Sequence, residues 1–324
     1  MSETPLLTVA IPTYQGASHL PETLRSILSQ KGVAFDLLVC DDQSTDSTVE
    51  TVETIAGRAA RVEVNSQRLG LAGNWNRCVE RSATPLVAIV HQDDVLSPGH
   101  LAAHVETFRS DPALGMVASA SVVIDAQGRP VSESIVDRGG LGRLDLRFAP
   151  GEAVKDLAAS NPLRCSAVTI RAEAHAALGG FDPTYRYVVD WEFWLRLSAT
   201  WSVAWLGTPT VAVRWHPASE THTFKTGTVD LEETERVLNA TARALTNLDL
   251  LQVASPRLAR AYLNRAHQGL KAGDGALARR CLARAITLSP RILGTVLADP
   301  RLATQMAAVW AVPGLAARWF RRGP

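Results

Sequence analysis

Cysteine is scarce: Cys40, Cys78, Cys165 and Cys281 stand far apart in 324 residues, with no CxxC pair or Cys/His cluster. Such spacing speaks against a structural zinc site and suits a reducing cytoplasm. An excess of one charge is missing too, since 33 Lys and Arg meet 32 Asp and Glu for a net charge of +1. Proteins built to grip nucleic acid carry a basic surplus, so nucleic acid is not an expected partner. No uncharged apolar run reaches the roughly 18 residues of a membrane span. The opening MSETPLLTVAIPTY lacks the charged, apolar and cleavage regions of a secretory signal, and a cytoplasmic location is expected. The apolar fraction of 46% is nevertheless ample for a core.

Short apolar runs and helical patterns alternate through the first 125 residues. LTVAI, FDLLVC, Arg61–Asn65, Pro85–Val90 and Met116–Ile124 read as strands. Ser18–Gln30, Ser47–Ala56, Leu71–Ser82 and His100–Arg109 read as helices, with Ser44 and Asp46 as cap candidates for the second. That alternation predicts an α/β fold with a mainly parallel central sheet. Ligands of such sheets bind beyond the carboxyl ends of the strands. Pro12-Thr13-Tyr14, Asp41-Asp42 and His91-Gln92-Asp93-Asp94 collect at that edge. Residues 126–225 are less regular, with a Gly- and Arg-rich stretch near Arg138–Arg147.

The stretch AIVHQDDVLSP is the most informative. A turn with a helix cap explains one aspartate. Two adjacent carboxylates at the end of a buried strand repel each other unless a cation neutralises them. Hard Mg²⁺ or Mn²⁺ takes one or two carboxylates, waters and substrate phosphates, so the pair points to a metal–diphosphate site. DDQSTD after FDLLVC has neither GxGxxG nor GK[ST]. That disfavours a dinucleotide oxidoreductase and a P-loop kinase, and leaves a carboxylate free to bond a nucleobase or ribose. Further on, YRYVVDWEFWLRL sets Asp190 among Val188, Val189, Trp191, Phe193 and Trp194. There it is an expensive charge in an apolar place, and it reads as an N-cap for a helix over Trp191–Ala199.

Taken together, TVAIPTYQGASHLPETLRSILSQ, FDLLVCDDQSTDST, NSQRLGLAGNWNRCVERSATPLVAIVHQDDVLSP and GGFDPTYRYVVDWEFWLRLS resemble the family 2 inverting glycosyltransferases of the GT-A fold. The likeness covers about two-thirds of the chain and fades after about residue 225. It implies a GT-A glycosyltransferase domain over 1–228, with a nucleotide-binding half (1–125) and an acceptor or catalytic half (126–228). By the same resemblance, Pro12, Thr13 and Tyr14 line the nucleobase pocket and Asp42 reads uracil or thymine. Asp93 contacts ribose or the metal shell, and Asp94 ligates the divalent metal, Mg²⁺ or Mn²⁺. Asp190 is the general base, with Glu192 in support. Arg68, Asn74 and Asn76 fall in the segment that flanks the nucleotide-sugar, and read as well as helix-cap and surface polar residues. His216 matches a position where some members place a histidine on the metal. His91 departs from the full Asp-x-Asp-Asp form. Asn161–Ser166 and the Gly179-Gly180 pair fall on the acceptor side, and both also read as turns.

The implied reaction moves a sugar from a nucleotide-sugar, UDP- or dTDP-linked, to a hydroxyl of a glycan or lipid-linked acceptor. A GT-A domain that has lost transfer and serves as a scaffold is the alternative, motivated by His91 and the helical tail. A nucleotidyltransferase would need a basic, glycine-rich loop after the first strand, and IPTYQGAS is not one. Residues 229–324 form an Ala/Leu/Arg-rich helical extension. Within it, Ala259–Pro290 resembles one tetratricopeptide hairpin, too few units to stack as a solenoid. Ala307–Arg322 mixes Trp310, Leu315, Trp319 and Phe320 with Arg318, Arg321 and Arg322. It reads as a peripheral contact with the inner face of the plasma membrane, or as a helix capping the hairpin.

Overall fold

The computed structural model describes residues 4–131, 141–216, 219, 224, 226–246, 249–298 and 300–311. The chain divides into two compact units, Met1–Ser219 and Glu220–Pro324. Pro313, Leu315, Arg318, Trp319, Phe320, Arg321 and Arg322 lie outside the described residues, as does Arg138. Among the described residues no helix is long and apolar enough to cross a membrane.

The first unit is built on a nine-stranded sheet. Its strands are β1 (Leu7–Thr13), β2 (Phe35–Asp41), β3 (Ala60–Val64), β4 (Leu86–Ile89), β5 (Val95–Leu96), β6 (Leu114–Ile124), β7 (Leu146–Phe148), β8 (Val168–Arg171) and β9 (Ser202–Arg214). They run in the order β3-β2-β1-β4-β8-β6-β9-β5, with β7 also on β9. From β3 to β4 every pairing is parallel. Beyond it, β8 runs antiparallel to both β4 and β6. β1 is apolar on both faces because helices cover both sides, and Leu7, Val9, Ala10 and Ile11 are wholly buried. The chain leaves β1 for β2 on one side and returns to β4 on the other. That reversal opens a crevice at the carboxyl ends of the three strands.

Helix α1 (Leu20–Leu28) begins with proline in its first turn and buries Leu20, Leu24 and Ile27. Then come α2 (Thr48–Ala56), α3 (Gly70–Arg81), α4 (His100–Ser110), α5 (Val154–Ala159), α6 (Ala172–Ala177) and α7 (Val189–Thr200). Two features of the site-bearing motifs differ from the sequence reading. VL of AIVHQDDVLSP is a short strand, β5, because Val95 and Leu96 pair with Ala212 and Val211 of β9. The aromatic helix starts at Val189, ahead of Trp191, since the Val188 carbonyl already accepts from Glu192 N–H at 2.9 Å. Asp190 therefore stands in the first turn and is not the N-cap.

The second unit is helical: α8 (Val229–Ala244), α9 (Asp249–Ala272), α10 (Gly275–Leu288), α11 (Ile292–Ala298) and α12 (Pro300–Ala311). α9 and α10 form a hairpin that buries Tyr262, Ala266, Ala278, Leu282 and Ala285. Asp274 caps α10 by accepting from Leu277 N–H at 2.8 Å. Buried Arg265 meets Asp230 with two hydrogen bonds, a fork geometry that Lys would not reproduce.

Candidate active site

Three strand ends furnish the site. At the end of β2, Asp41 is wholly buried and accepts from Thr13 Oγ1 at 2.7 Å, Ser44 N–H at 2.8 Å and Ser44 Oγ at 2.6 Å. The Thr13 hydroxyl is thus turned into the β1–β2 junction. Asp42, 3% exposed, accepts from Leu69 N–H at 2.7 Å, Gly70 N–H at 2.9 Å and Asn65 Nδ2 at 3.0 Å. Its carboxylate closes the amino end of α3, where unpaired N–H groups and the helix dipole favour an anion. The Arg68 guanidinium lies 3.5 Å from the Tyr14 ring centroid, a cation–π contact, with its Nε 3.9 Å from Asp42. Tyr14, Arg68 and Asp42 therefore form one cluster, with half-buried Pro12 on the strand behind it.

The Gln92 amide docks on Tyr14 in both directions. Oε1 accepts from Tyr14 N–H at 2.9 Å and Nε2 donates to Tyr14 O at 3.0 Å. A Cβ at Gly16 would fall 2.1 Å from that amide oxygen, so any larger residue there would push the amide off Tyr14.

The end of β4 carries His91, Asp93 and Asp94, whose ligand atoms all lie within 4.8 Å of one another. Asp94, 2% exposed, accepts from the Ser166 hydroxyl and from Arg214 N–H at 2.9 Å. Burial, and then the neighbouring charge of Asp93, push its carboxyl up to about 6. Burial pushes Asp93 up as well, but the hydrogen bond from His216 and the nearby His91 outweigh it and hold that carboxyl below its ordinary value. His216 Nε2 stands 2.9 Å from Asp93 Oδ2. His216 is thus a neighbour of Asp93, outside the ligand cluster, and the histidine inside the cluster is His91.

Arg214 ties this corner together. Its guanidinium is 1% exposed, donates to Asp93 O at 2.9 Å and Asp125 O at 3.1 Å, and pairs with Glu22. Its only signal in the sequence is a single charge inside the apolar run TVAVRW. Ser166 gave none, because it reaches Asp94 across 72 residues.

Asn76 is committed elsewhere. Its amide donates to Phe181 O at 2.8 Å and its oxygen accepts from Phe181 N–H at 2.8 Å, with His175 Nε2 at 3.0 Å. It anchors the Gly179-Gly180 turn, where a Cβ on Gly180 (φ +77°) would sit 2.7 Å from the Asn76 oxygen. Asn74 is likewise internal, between Cys40 O and Asn65. Asn76→Ala should therefore lower unfolding free energy by about 1–3 kcal/mol in denaturant titration and leave nucleotide affinity unchanged.

Asp190, half-buried, accepts through Oδ1 from Trp191 N–H at 2.6 Å and from Asn161 Nδ2 at 3.4 Å. Its Oδ2 takes no hydrogen bond among the described residues. Glu192 pairs with Arg196, which also donates to the carbonyls of Leu178 and Gly180. Between the two centres lies the Cys165 thiol. Burial pushes it up, and the carboxylates of Asp190 and Asp94 push it further. The segment Asn161–Ser166 thus touches Asp190 at one end and Asp94 at the other.

The model of the family described as "Glycosyl transferase family 2" matches residues 8–157, which hold the ends of β1, β2 and β4. The chain is also 33% identical over 227 residues to "Uncharacterized protein MT1568" of Mycobacterium tuberculosis, covering 66% of this chain and 68% of that one. The chain belongs to that family. To "Putative glycosyltransferase EpsE" of Bacillus subtilis it is 25% identical over 201 residues, 60% of this chain and 68% of that one. The structure of S. aureus TarS 1-349 in complex with UDP-GlcNAc aligns over 98% of this chain and 90% of its own, with TM-score 0.62 and 16% identity. At that identity the likeness establishes the fold, GT-A. The chain is accordingly a family 2 glycosyltransferase of the GT-A fold.

Proposed function

We propose that the chain is an inverting glycosyltransferase that moves a sugar from a UDP- or dTDP-linked donor to a hydroxyl of a glycan or lipid-linked acceptor. One observation carries this reading: Asn161–Ser166 holds Asp190 through Asn161 and Asp94 through Ser166, which links the ligand cluster to a carboxylate with one oxygen unpartnered among the described residues. The UDP-GlcNAc of the S. aureus TarS complex supports a UDP-linked donor. Arg68, set over the Tyr14 ring and beside Asp42, supports a nucleobase pocket at the β1–β2 edge.

A divalent cation, Mg²⁺ or Mn²⁺, fits the donor set of His91, Asp93 and Asp94, because two carboxylates and an imidazole converge there. When bound, it supplies charge neutralisation to the departing diphosphate. The chain's own part is to hold and move a proton. Asp190 Oδ1 is fixed by Asn161 and Trp191 N–H, and Oδ2 takes the proton of the acceptor hydroxyl. The hydroxyl oxygen bonds to the anomeric carbon as the bond to the diphosphate oxygen breaks, and that electron pair leaves with the diphosphate. Attack opposite the leaving group inverts configuration in one step. A cytoplasmic enzyme goes with this reading, with Ala307–Arg322 as its contact to the inner face of the plasma membrane.

The test is a calorimetric titration with UDP, GDP, CMP and dTDP, with and without Mn²⁺. The expected result is metal-dependent binding of UDP or dTDP, lost in Asp94→Asn. A folded protein that binds none of the four would sink the reading and favour the scaffold alternative.

A further inference from the structure

We propose that His91 is a direct ligand of the metal and turns this site's preference from Mg²⁺ toward Mn²⁺ and other imidazole-binding divalent ions. The inference rests on the reading above only for the presence of a metal at the end of β4.

The ring is held in place from several directions. His91 N–H donates to Ser166 Oγ at 2.9 Å, the same oxygen that donates to Asp94, so the backbone of one ligand and the side chain of another share an anchor. The imidazole stacks on the Trp75 indole, with centroids 5.2 Å apart and planes 29° apart. Trp75 is itself 3% exposed and packs edge-on against Phe181 at 5.3 Å. Nδ1 lies 3.9 Å from Asp94 Oδ2, whereas Nε2 is buried and has no hydrogen-bond partner among the described residues. The tautomer with its proton on Nε2 aims the free Nδ1 lone pair at the acidic pair.

Donors around one ion at about 2.1 Å stand about 3 to 4.2 Å from each other. Closing donors that now lie within 4.8 Å of one another onto one ion therefore takes movements of about 0.6 Å for a trans pair and up to about 1.8 Å for a cis pair. The donor set then decides the preference. Mg²⁺ wants oxygen and dehydrates reluctantly. Imidazole suits later divalent ions, and affinity at a mixed N/O site rises along the first transition row. A carboxylate at position 91 would bring three negative charges to the ion, and a neutral imidazole leaves two. The imidazole thus weakens the hold on Mg²⁺ most and spares ions that accept nitrogen.

The experiment uses the full chain and Mn²⁺ alone, then Mn²⁺ with UDP, read by pulsed electron paramagnetic resonance for ¹⁴N coupling to bound Mn²⁺. Mn²⁺ and Mg²⁺ dissociation constants are measured alongside. The wild type should show imidazole ¹⁴N coupling that persists in His216→Gln and disappears in His91→Asp and His91→Asn. The ratio of the Mg²⁺ to the Mn²⁺ dissociation constant should fall about tenfold in His91→Asp. Two variants at position 91, each checked by thermal melting, separate loss of a ligand from loss of fold. Mn²⁺ bound without ¹⁴N coupling would overturn the proposal, as would coupling that vanishes in His216→Gln and survives in His91→Asn, or no bound Mn²⁺ in either condition. UDP titration on the same samples reads the donor site separately, so failure of the glycosyltransferase reading is recognisable on its own.

Discussion

Asp190→Asn is expected to lower kcat by about 10³-fold, the middle of the range for a lost general base, while the dissociation constant for UDP with Mn²⁺ stays unchanged. The amide is isosteric. Its oxygen can keep the acceptor role of Oδ1 toward Trp191 N–H and Asn161, so the first turn of α7 is preserved. What disappears is the carboxylate oxygen that the proposed mechanism assigns to the proton, unpartnered among the described residues. Glu192→Gln makes the informative comparison. It weakens the pairing with Arg196, and through Arg196 the hold on Leu178 and Gly180. Its expected signature is a lower melting temperature with kcat within a few-fold of wild type, for a contribution of about 1 kcal/mol. Single-turnover rates and nucleotide titrations on both variants give the comparison. Transfer by Asp190→Asn at the wild-type rate would mean that another group takes the proton, and the base assignment would fall.

The second large effect is acid lability of the first unit. His100 and His104 are wholly buried on α4, with ring centroids 4.2 Å apart, each Nδ1 on a threonine hydroxyl and each Nε2 without a partner among the described residues. Burial drives His100 down to about 4. Burial and then His100 drive His104 well below 6.5. His175, against Phe181 and Phe193, is also brought to about 4, by burial and then by Arg196. A histidine whose folded pKa lies below its unfolded value is held neutral by the fold. The unfolded chain binds more protons between about pH 6.5 and 4, and stability falls as pH drops through that window. His100 and His175 should each cost about 2 kcal/mol between pH 7 and pH 5, and His104 acts in the same direction. Asp94 opposes them. Its carboxyl is raised to about 6 in the fold, so it takes up a proton as pH falls and returns about 1 kcal/mol. Net loss should therefore be at least about 3 kcal/mol, measured by denaturant unfolding at the two pH values, and it should shrink in His104→Gln. A flat profile would mean that these imidazoles are already hydrated in the fold.

The strands of the parallel half and the helices between them were legible because they answer to local rules: apolar runs of strand length, helical spacing and proline at a helix start. β5 and β9 were not. Two residues carry too little pattern to declare a strand, and TVAVRW makes sense only beside β6. The site divides the same way. Asp93, Asp94 and Asp190 announce themselves as charges in apolar surroundings. Asn76 reads in sequence as a candidate binding residue and in the fold holds Phe181, because an amide gives no sign in sequence of which backbone it will meet. His91 stands out in sequence as a departure from a motif, and only its stacking on Trp75 and closeness to Asp94 give it a place in the cluster.

The pairing of Asp94 with Arg214 has a consequence for how the molecule comes into being. The carboxylate at the end of β4 receives its backbone partner 120 residues later, from the last residue of a strand that must first find β6 in parallel. Long-range parallel pairing forms slowly. On a growing chain the acidic pair emerges well before the arginine that organises it, and until then the Asp94 carboxylate lacks its N–H donor and the Asp93 backbone carbonyl lacks its guanidinium. Maturation of the acidic corner is thus a late folding event, and residues 8–157 alone, the portion the family model spans, lack the pieces to complete it.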